Sequence, residues 1–365
     1  MKQKILIVSS FFYPVNTPRA NRATELAKEF SRQGHDVTVL TVFEDEDYGK
    51  MAKDFGITIE NLGKRKWKAP DFGQSKFGYL LTRLLVRVFL LLFEFPDIEL
   101  YYMVKKALKN KSGYDLMISN AVPYPVHWGV ARARKRNHQI AKKWVADCGD
   151  PYMGCETDTF KKLPHFKFVE KWFMRKADHV TIPVEGAKRG YYEEFHSKIS
   201  IIPQGFKMEP VPGADCAPNN QVPTFVYAGG FIPGIRDPRA FLEYLTQVTN
   251  DFRFHVFTNN EGILAEFKER LGEKLIISSY VPRHELLKFM TTTDFLVNFD
   301  NNTGVQLPSK LIDYALVKRP VLNITKELDT VSINCFLAGD YTGAYKITDV
   351  EQYRIENVCS KFLNL

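Results

Sequence analysis

The spacing of apolar residues divides this chain into short buried runs and helical stripes. Lys4-Ile5-Leu6-Ile7-Val8-Ser9 reads as a strand, and Phe11 to Pro18 as a loop. From about Arg19 to Gln33 apolar residues recur at Ala23, Leu26, Ala27 and Phe30, the period of a helix with one buried face. Gly34 ends it, and Asp36 to Val42 reads as a second strand. Strand, helix, strand predicts a βαβ unit with parallel strands and a site above their C-terminal ends. Further strands are predicted at Ile57–Leu62, Tyr114–Ser119, Lys143–Asp147, Ala177–Pro183 and Ile199–Phe206. Pro210 to Pro223, rich in Pro, Gly, Ala and Asn without periodicity, reads as a linker. The alternation then resumes with strands at Thr224–Ala228, Phe252–Phe257, Leu275–Ile277 and Phe295–Phe299, and helices near 261–271 and 283–291. Pro308 and Ser309 open a further helix that ends near Lys318, a strand starts at Arg319, and Asp349–Leu363 reads as a closing helix. The predicted class is α/β, with two doubly wound, Rossmann-like parallel-sheet domains at 1–206 and 224–348. Residues 207–223 join them, and 349–365 form a terminal helix.

One apolar stretch does not fit a simple core helix. Across Tyr79–Phe95, Lys76, Arg83, Arg87 and Glu94 fall at spacings of seven, four and seven, a single polar stripe on an otherwise apolar helix. With charges inside and about 17 residues, it is a poor membrane span. A chain of 365 residues can build two cores of ordinary size. Cysteines 148, 155, 216, 335 and 359 lack metal-site or disulfide spacing, and the amino terminus does not resemble a signal peptide, so a cytoplasmic protein is expected. Charge is lopsided: residues 1–205 carry 34 Lys and Arg against 23 Asp and Glu, a balance of +11, whereas residues 206–365 carry 16 against 19. With the basic run Lys64-Arg65-Lys66-Trp67-Lys68, this predicts an anionic partner for the first domain: a membrane surface, met peripherally, rather than nucleic acid, since no nucleic-acid module is present.

Chemistry concentrates at predicted strand tips. The helix opened by Ser309 presents free backbone N–H groups and a positive dipole end, with Lys310 beside them, an arrangement that suits phosphate. About one turn on, Asp313 could accept two ribose hydroxyls; an ordinary capped helix between two strands is the plainer reading. Gly229 and Gly230 follow a strand and permit close backbone approach, and Arg236 lies just beyond, either for phosphate or for a local pair with Asp237. His127, Asp147 and Asp150 sit at the mouth of the first domain's expected cleft, where turn formation or a core histidine would serve as well.

The segment L-P-S-K-L-I-D-Y-A-L-V-K-R-P-V-L resembles the donor site of retaining GT-B glycosyltransferases of family four. The opening I-L-I-V-S-S-F-F-Y-P and E-L-A-K-E-F-S-R-Q-G-H-D-V-T-V-L-T, the loops S-N-A-V-P-Y-P-V-H-W and W-V-A-D-C-G-D-P-Y, and Y-A-G-G-x-x-x-x-x-R-D-P look like the same family. The resemblance implies GT-B architecture, with two domains facing a central cleft, and transfer of a sugar from a nucleotide-sugar donor to a hydroxyl acceptor with retained configuration. It implies no metal and no further cofactor, and a saccharide or lipid-linked acceptor such as a growing bacterial surface polysaccharide. It places Gly229, Gly230, Arg236, Thr303, Gly304, Ser309, Lys310 and Asp313 at the donor, with Arg236, Lys310 and Asp150 in catalysis. Asn16, Thr17, Arg22, His127 and Asp147 fall on the acceptor side. Two departures stand out. Val305 replaces the first of two glutamates common in the family, and Asn16-Thr17-Pro18-Arg19 replaces a Gly-Gly loop, leaving Arg19 or Arg22 to supply charge. A partner that binds nucleotide sugar without turnover, and a sugar-nucleotide epimerase of the same fold, are the alternatives.

Overall fold

The computed structural model describes the chain apart from residues 44–46, 71–75, 156–160, 301–308 and 348. It divides into one unit of Met1–Lys207 with Gln352–Leu365 and a second of Met208–Glu351. In the first, chain order runs β1 (Lys4–Ser9), α1 (Pro18–Arg32), β2 (Asp36–Thr41), α2 (Tyr48–Phe55), β3 (Thr58–Asn61), α3 (Lys76–Phe93), α4 (Glu99–Ala107) and β4 (Tyr114–Asn120). It continues with α5 (Pro125–Ala133), β5 (Ala141–Asp147), α6 (Phe166–Lys176), β6 (His179–Ile182) and β7 (Ile199–Ile201). The seven strands form one parallel sheet in the order β3-β2-β1-β4-β5-β6-β7. Side chains alternate across a strand, so β1 sends Leu6 and Val8 to one core and Ile5 and Ile7 to the other. β5 does the same, with Trp144 and Ala146 opposite Val145. Both faces are covered, which is why these strands read as continuous apolar runs.

The second unit follows with β8 (Thr224–Ala228), α7 (Arg239–Thr246), β9 (Arg253–Phe257), α8 (Ala265–Leu271), β10 (Leu275–Ser278), α9 (Arg283–Met290), β11 (Phe295–Phe299), α10 (Ser309–Val317), β12 (Val321–Ile324) and α11 (Thr330–Leu337). Its five parallel strands run β10-β9-β8-β11-β12. One face is rich in aromatic residues: Phe225 stacks between Phe254 and Phe295 at 4.8 and 4.5 Å. The final helix, α12 (Ile355–Leu363), belongs to the first unit. Its Ile355, Val358, Cys359 and Phe362, at helical spacing, join the core that holds Ile5, Ile7 and Phe30.

Three details differ from the expectations above. The Pro- and Gly-rich stretch read as a linker is tied to the second unit, because the Arg319 guanidinium donates to the carbonyls of Ala214 at 3.2 Å and Gly213 at 3.4 Å, and to Cys216. The polar stripe of the apolar helix is broken at Glu94, which lies just beyond α3 and is buried. There its carboxylate pairs with Lys162 and accepts the Tyr152 hydroxyl at 2.9 Å. The apolar side of α3 is not buried either: none of its described apolar side chains is enclosed, and Leu80 and Leu84 are 66% and 58% exposed. No described helix is long and apolar enough to cross a membrane.

Candidate functional site

Strand order reverses once in each sheet, between β1 and β4 and between β8 and β11, and crevices form outside the strand ends at such points. In the second unit the crevice is bordered by the turn after β8 and the start of α10. Gly229 has φ +152°, and a Cβ there would lie 2.9 Å from the Tyr227 hydroxyl. That hydroxyl instead donates to the Gly230 carbonyl at 3.1 Å, fixing the turn. A Cβ on Gly230 would press on Asn260 Oδ1 at 3.2 Å, so the pair keeps backbone exposed where side chains would crowd it.

Two cations meet beside this turn. Lys310, on the first turn of α10, places its Nζ 4.6 Å over the Tyr227 ring, with no hydrogen-bond acceptor among the described residues. Burial and the neighbouring Arg236 charge bring its ammonium down to about 7, against an opposite pull from Asp300. Arg236 is half-buried, and its Nε is also enclosed without an acceptor among the described residues. It does not pair with Asp237. That carboxylate is claimed by Arg239, whose Nε lies 2.8 Å away, and by the amide of Gly234 at 3.2 Å. Two like charges held together with enclosed, unpaired nitrogens are costly unless an anion joins them. Asp313 projects one turn further along α10 and is engaged by Arg283, with Nε and Nη2 at 3.0 and 2.5 Å from Oδ1. Sequence reasoning missed Arg283; its only signal was a basic residue opening the preceding helix. α10 begins at Ser309, whereas Thr303, Gly304 and Val305 lie outside the described residues.

The acceptor-side candidates of the first unit prove to be of two kinds. Arg22 and Asp147 are 2% and 0% exposed and bind each other through two hydrogen bonds, of 2.6 and 2.7 Å. Arg22 also donates to the carbonyls of Ile202 and Pro203 at 3.0 and 2.6 Å, and Thr181 donates to Asp147 at 2.7 Å. Burial alone would raise the Asp147 carboxyl, but the Arg22 guanidinium holds it below the usual range. Neither side chain faces solvent, so the pair serves as an internal clamp joining α1, β5, β6 and the segment after β7. This corrects the reading of Arg22 as an acceptor-side charge, since its guanidinium is turned into the core. His127 is likewise in the core: it shares a 2.7 Å hydrogen bond with Ser119, stacks on Phe173 at 5.3 Å, and is held near 3 by burial, hence neutral. It is therefore a core histidine.

The second kind lies at the rim. Thr17 caps α1 by accepting the Ala20 amide at 3.3 Å, and Asn16 is exposed, accepting from Asn21 at 3.1 Å. Asp150 is exposed after β5, and only its carbonyl, which accepts the Tyr124 hydroxyl, has a described partner role. Arg19, by contrast, occupies the rim with purpose. Its guanidinium crosses the face of Gly149, where a Cβ would sit 1.9 Å from Nη2, and stops 4.0 Å from Asp147. Of the two arginines, it is Arg19 that keeps solvent access, at 20%.

Two Rossmann-like units with parallel sheets, the second with α10 beside its switch point, match the GT-B fold. Solved structures agree. The chain superposes on the lipopolysaccharide outer core galactosyltransferase WaaB, apo form, with TM-score 0.59 at 12% identity, covering 99% of this chain and 98% of that one. A glycosyltransferase from Rickettsia africae gives 0.56 at 14%, covering 100% and 94%, and TarM gives 0.56 at 13%, covering 99% and 91%. At such identities the likeness establishes the fold. No family model matches the chain, and no curated protein matches it in sequence.

Proposed function

We propose that this chain is a retaining glycosyltransferase of the family-four type, moving a sugar from a nucleotide-sugar donor to an acceptor hydroxyl. The observation that carries the reading is the pair Lys310 and Arg236, whose enclosed Nζ and Nε have no acceptor among the described residues, at the start of α10 and beside the Gly229–Gly230 turn. As the glycosidic bond breaks, charge develops on the leaving diphosphate, and two prepositioned cations with a helix dipole stabilise it. That role needs no metal ion, and the donor phosphate itself can assist the incoming hydroxyl. Asp313 is positioned to hold the ribose, with Arg283 orienting its carboxylate. Asp150 and Arg19 stand at the rim of the first unit for the acceptor, which we read as lipid-linked and presented at an anionic membrane surface. Among GT-B structures, an S. aureus TarM complex contains UDP and an alpha-GlcNAc-glycerol, and a starch synthase IV domain contains ADP and acarbose, the kinds of ligand this reading assigns here.

A screen of nucleotide sugars for thermal stabilisation identifies the donor, since a ligand bound only by the folded state raises the melting temperature. With that donor, Lys310→Ala and Arg236→Ala are expected to lower turnover by about 100- to 1000-fold each while the fold persists. Unchanged kinetics in both folded variants would remove the phosphate assignment. A donor-binding module without turnover is the second reading, favoured by the engagement of Asp313 with Arg283; it shows binding with neither transfer nor slow donor hydrolysis.

A further inference from the structure

A large apolar groove of the first unit lies away from its switch point. It holds about 1230 Å³ between the end of α3, α4, α5 and α6, larger than the roughly 300–1,000 Å³ usual for small-molecule sites. Its wall is built from Trp67, Phe95 and Tyr102 on one side and Trp128, Phe166 and Trp172 on the other. Trp67 stacks on Phe95 at 5.8 Å, and Trp128 on Phe166 at 5.8 Å. Phe93 and Phe168, 58% and 75% exposed, stand at its mouth, and the unburied apolar face of α3 leads up to it. Soluble proteins rarely leave this much contiguous apolar surface to water.

The lip of the chamber has the opposite character. The basic run Lys64–Lys68 is fastened there: the amides of Lys66 and Trp67 donate to the Glu99 carboxylate at 2.8 and 2.9 Å, and Arg65 pairs with Asp97 at 2.6 Å. This arrangement turns the Trp67 ring inward and leaves Lys64, Lys66 and Lys68 exposed around it. An apolar groove with exposed Lys64, Lys66 and Lys68 flanking one of its lining residues, Trp67, complements an amphiphile with a hydrocarbon tail and an anionic head. A polar solute would leave its own donors and acceptors unpaired against such a wall.

We propose that this chamber takes an acyl chain of an anionic bilayer phospholipid, whose headgroup rests on Lys64, Lys66 and Lys68, and that this lipid fixes the first unit to the membrane. The inference rests on the reading that the protein works at a membrane surface, and the experiment separates the two. Three of the chain's four tryptophans, Trp67, Trp128 and Trp172, line the chamber; the fourth, Trp144, is fully enclosed in the sheet core. The full-length Trp67→Phe/Trp172→Phe variant therefore reports on Trp128 over a constant background. Mixed with phosphatidylglycerol vesicles carrying dibrominated acyl chains, it is expected to co-sediment and to lose much of its Trp128 emission. Neutral phosphatidylcholine vesicles should give neither result.

Adding Ile98→Phe and Val169→Phe, which narrow the chamber, should weaken quenching and sedimentation; Phe93→Ser with Phe168→Ser, at the exposed mouth, gives the same check with less demand on folding. Replacing Lys64, Lys66 and Lys68 by Ser should weaken both signals. Absence of binding to anionic vesicles overturns the membrane reading and this one together. Binding without quenching overturns the chamber alone. Quenching that requires an added polyprenyl phosphate assigns the tail to an acceptor lipid, and a stable dimer that shields the tryptophans assigns the surface to a second copy; either overturns the proposal.

Discussion

Lys310 is enclosed beside Arg236, and no described residue accepts a hydrogen bond from it. Its ammonium is brought down to about 7 by burial and by Arg236, so near neutral pH the free protein holds it only partly charged. In the unfolded chain a lysine titrates near 10.4. The folded state thus binds fewer protons than the unfolded one between about pH 7 and 10, and stability contributed at this site rises with pH across that window. A diphosphate reverses the situation by favouring the charged form. Nucleoside diphosphate binding at pH 8 is therefore expected to take up close to one proton, measured as a dependence of binding heat on buffer ionisation enthalpy, and affinity should weaken from pH 7 to 9. In Lys310→Met both the uptake and that pH slope should vanish; equal proton uptake in variant and wild type would place the titrating group elsewhere. The clamp between Arg22 and Asp147 is the contrasting case: every guanidinium nitrogen and both carboxylate oxygens have partners within the core.

At the scale of elements, strands were legible and several helices were not. β1, β2, β4, β5, β8, β9 and β11 are covered on both faces, so each stands out as an apolar run between turn residues. α5 escaped notice because eight of its nine residues are buried, His127 and Trp128 among them, leaving no polar stripe to give a period, while Pro125 reads as a loop residue rather than a first-turn one. α4 and α6 carry aromatic residues toward the chamber and lysines toward water, a pattern that mimics exposed loop. The site was legible in part. Glycines, Arg236 and Lys310 cluster at strand tips, but the Arg22–Asp147 contact spans 125 positions, which no local pattern carries. The same holds for α9 and α10, joined by Arg283 and Asp313, 30 positions apart. This pair is half in solvent, so Arg283→Ala should change stability by less than about 1 kcal/mol. Its effect should fall on the donor: the KM for the nucleotide sugar changes severalfold while kcat holds, and discrimination against a 2′,3′-dideoxy donor shifts. Identical kinetics would mean that Asp313 and its partner do not touch the ribose.

On the scale of the whole molecule, the decisive feature is that the two ends of the chain share one core. Ile355, Val358, Cys359 and Phe362 of α12 are each at most 2% exposed against β1 and α1, the Arg22 guanidinium lies 5.5 Å from the Phe362 ring, and Arg32 meets Glu356 at 3.2 Å. Removing residues 352–365 should therefore destabilise the amino-terminal unit by several kcal/mol, given about 1.5–3 kcal/mol for each large apolar side chain withdrawn from the core. Hydrogen exchange should show β1, β2 and α1 deprotected while β8–β12 keep their protection; uniform protection in the truncated chain would show that α12 is dispensable. The arrangement also sets an order of events at the ribosome. The sheet of the first unit is translated well before α12, one of the helices that cover it, so Ile5, Ile7 and Phe30 lack part of their cover until α12 has left the ribosome. The segment made in between can finish its own sheet before then. A ribosome that stalls or frameshifts before α12 is made leaves behind a chain with an open apolar face, marked for chaperones and proteases by the absence of that one helix.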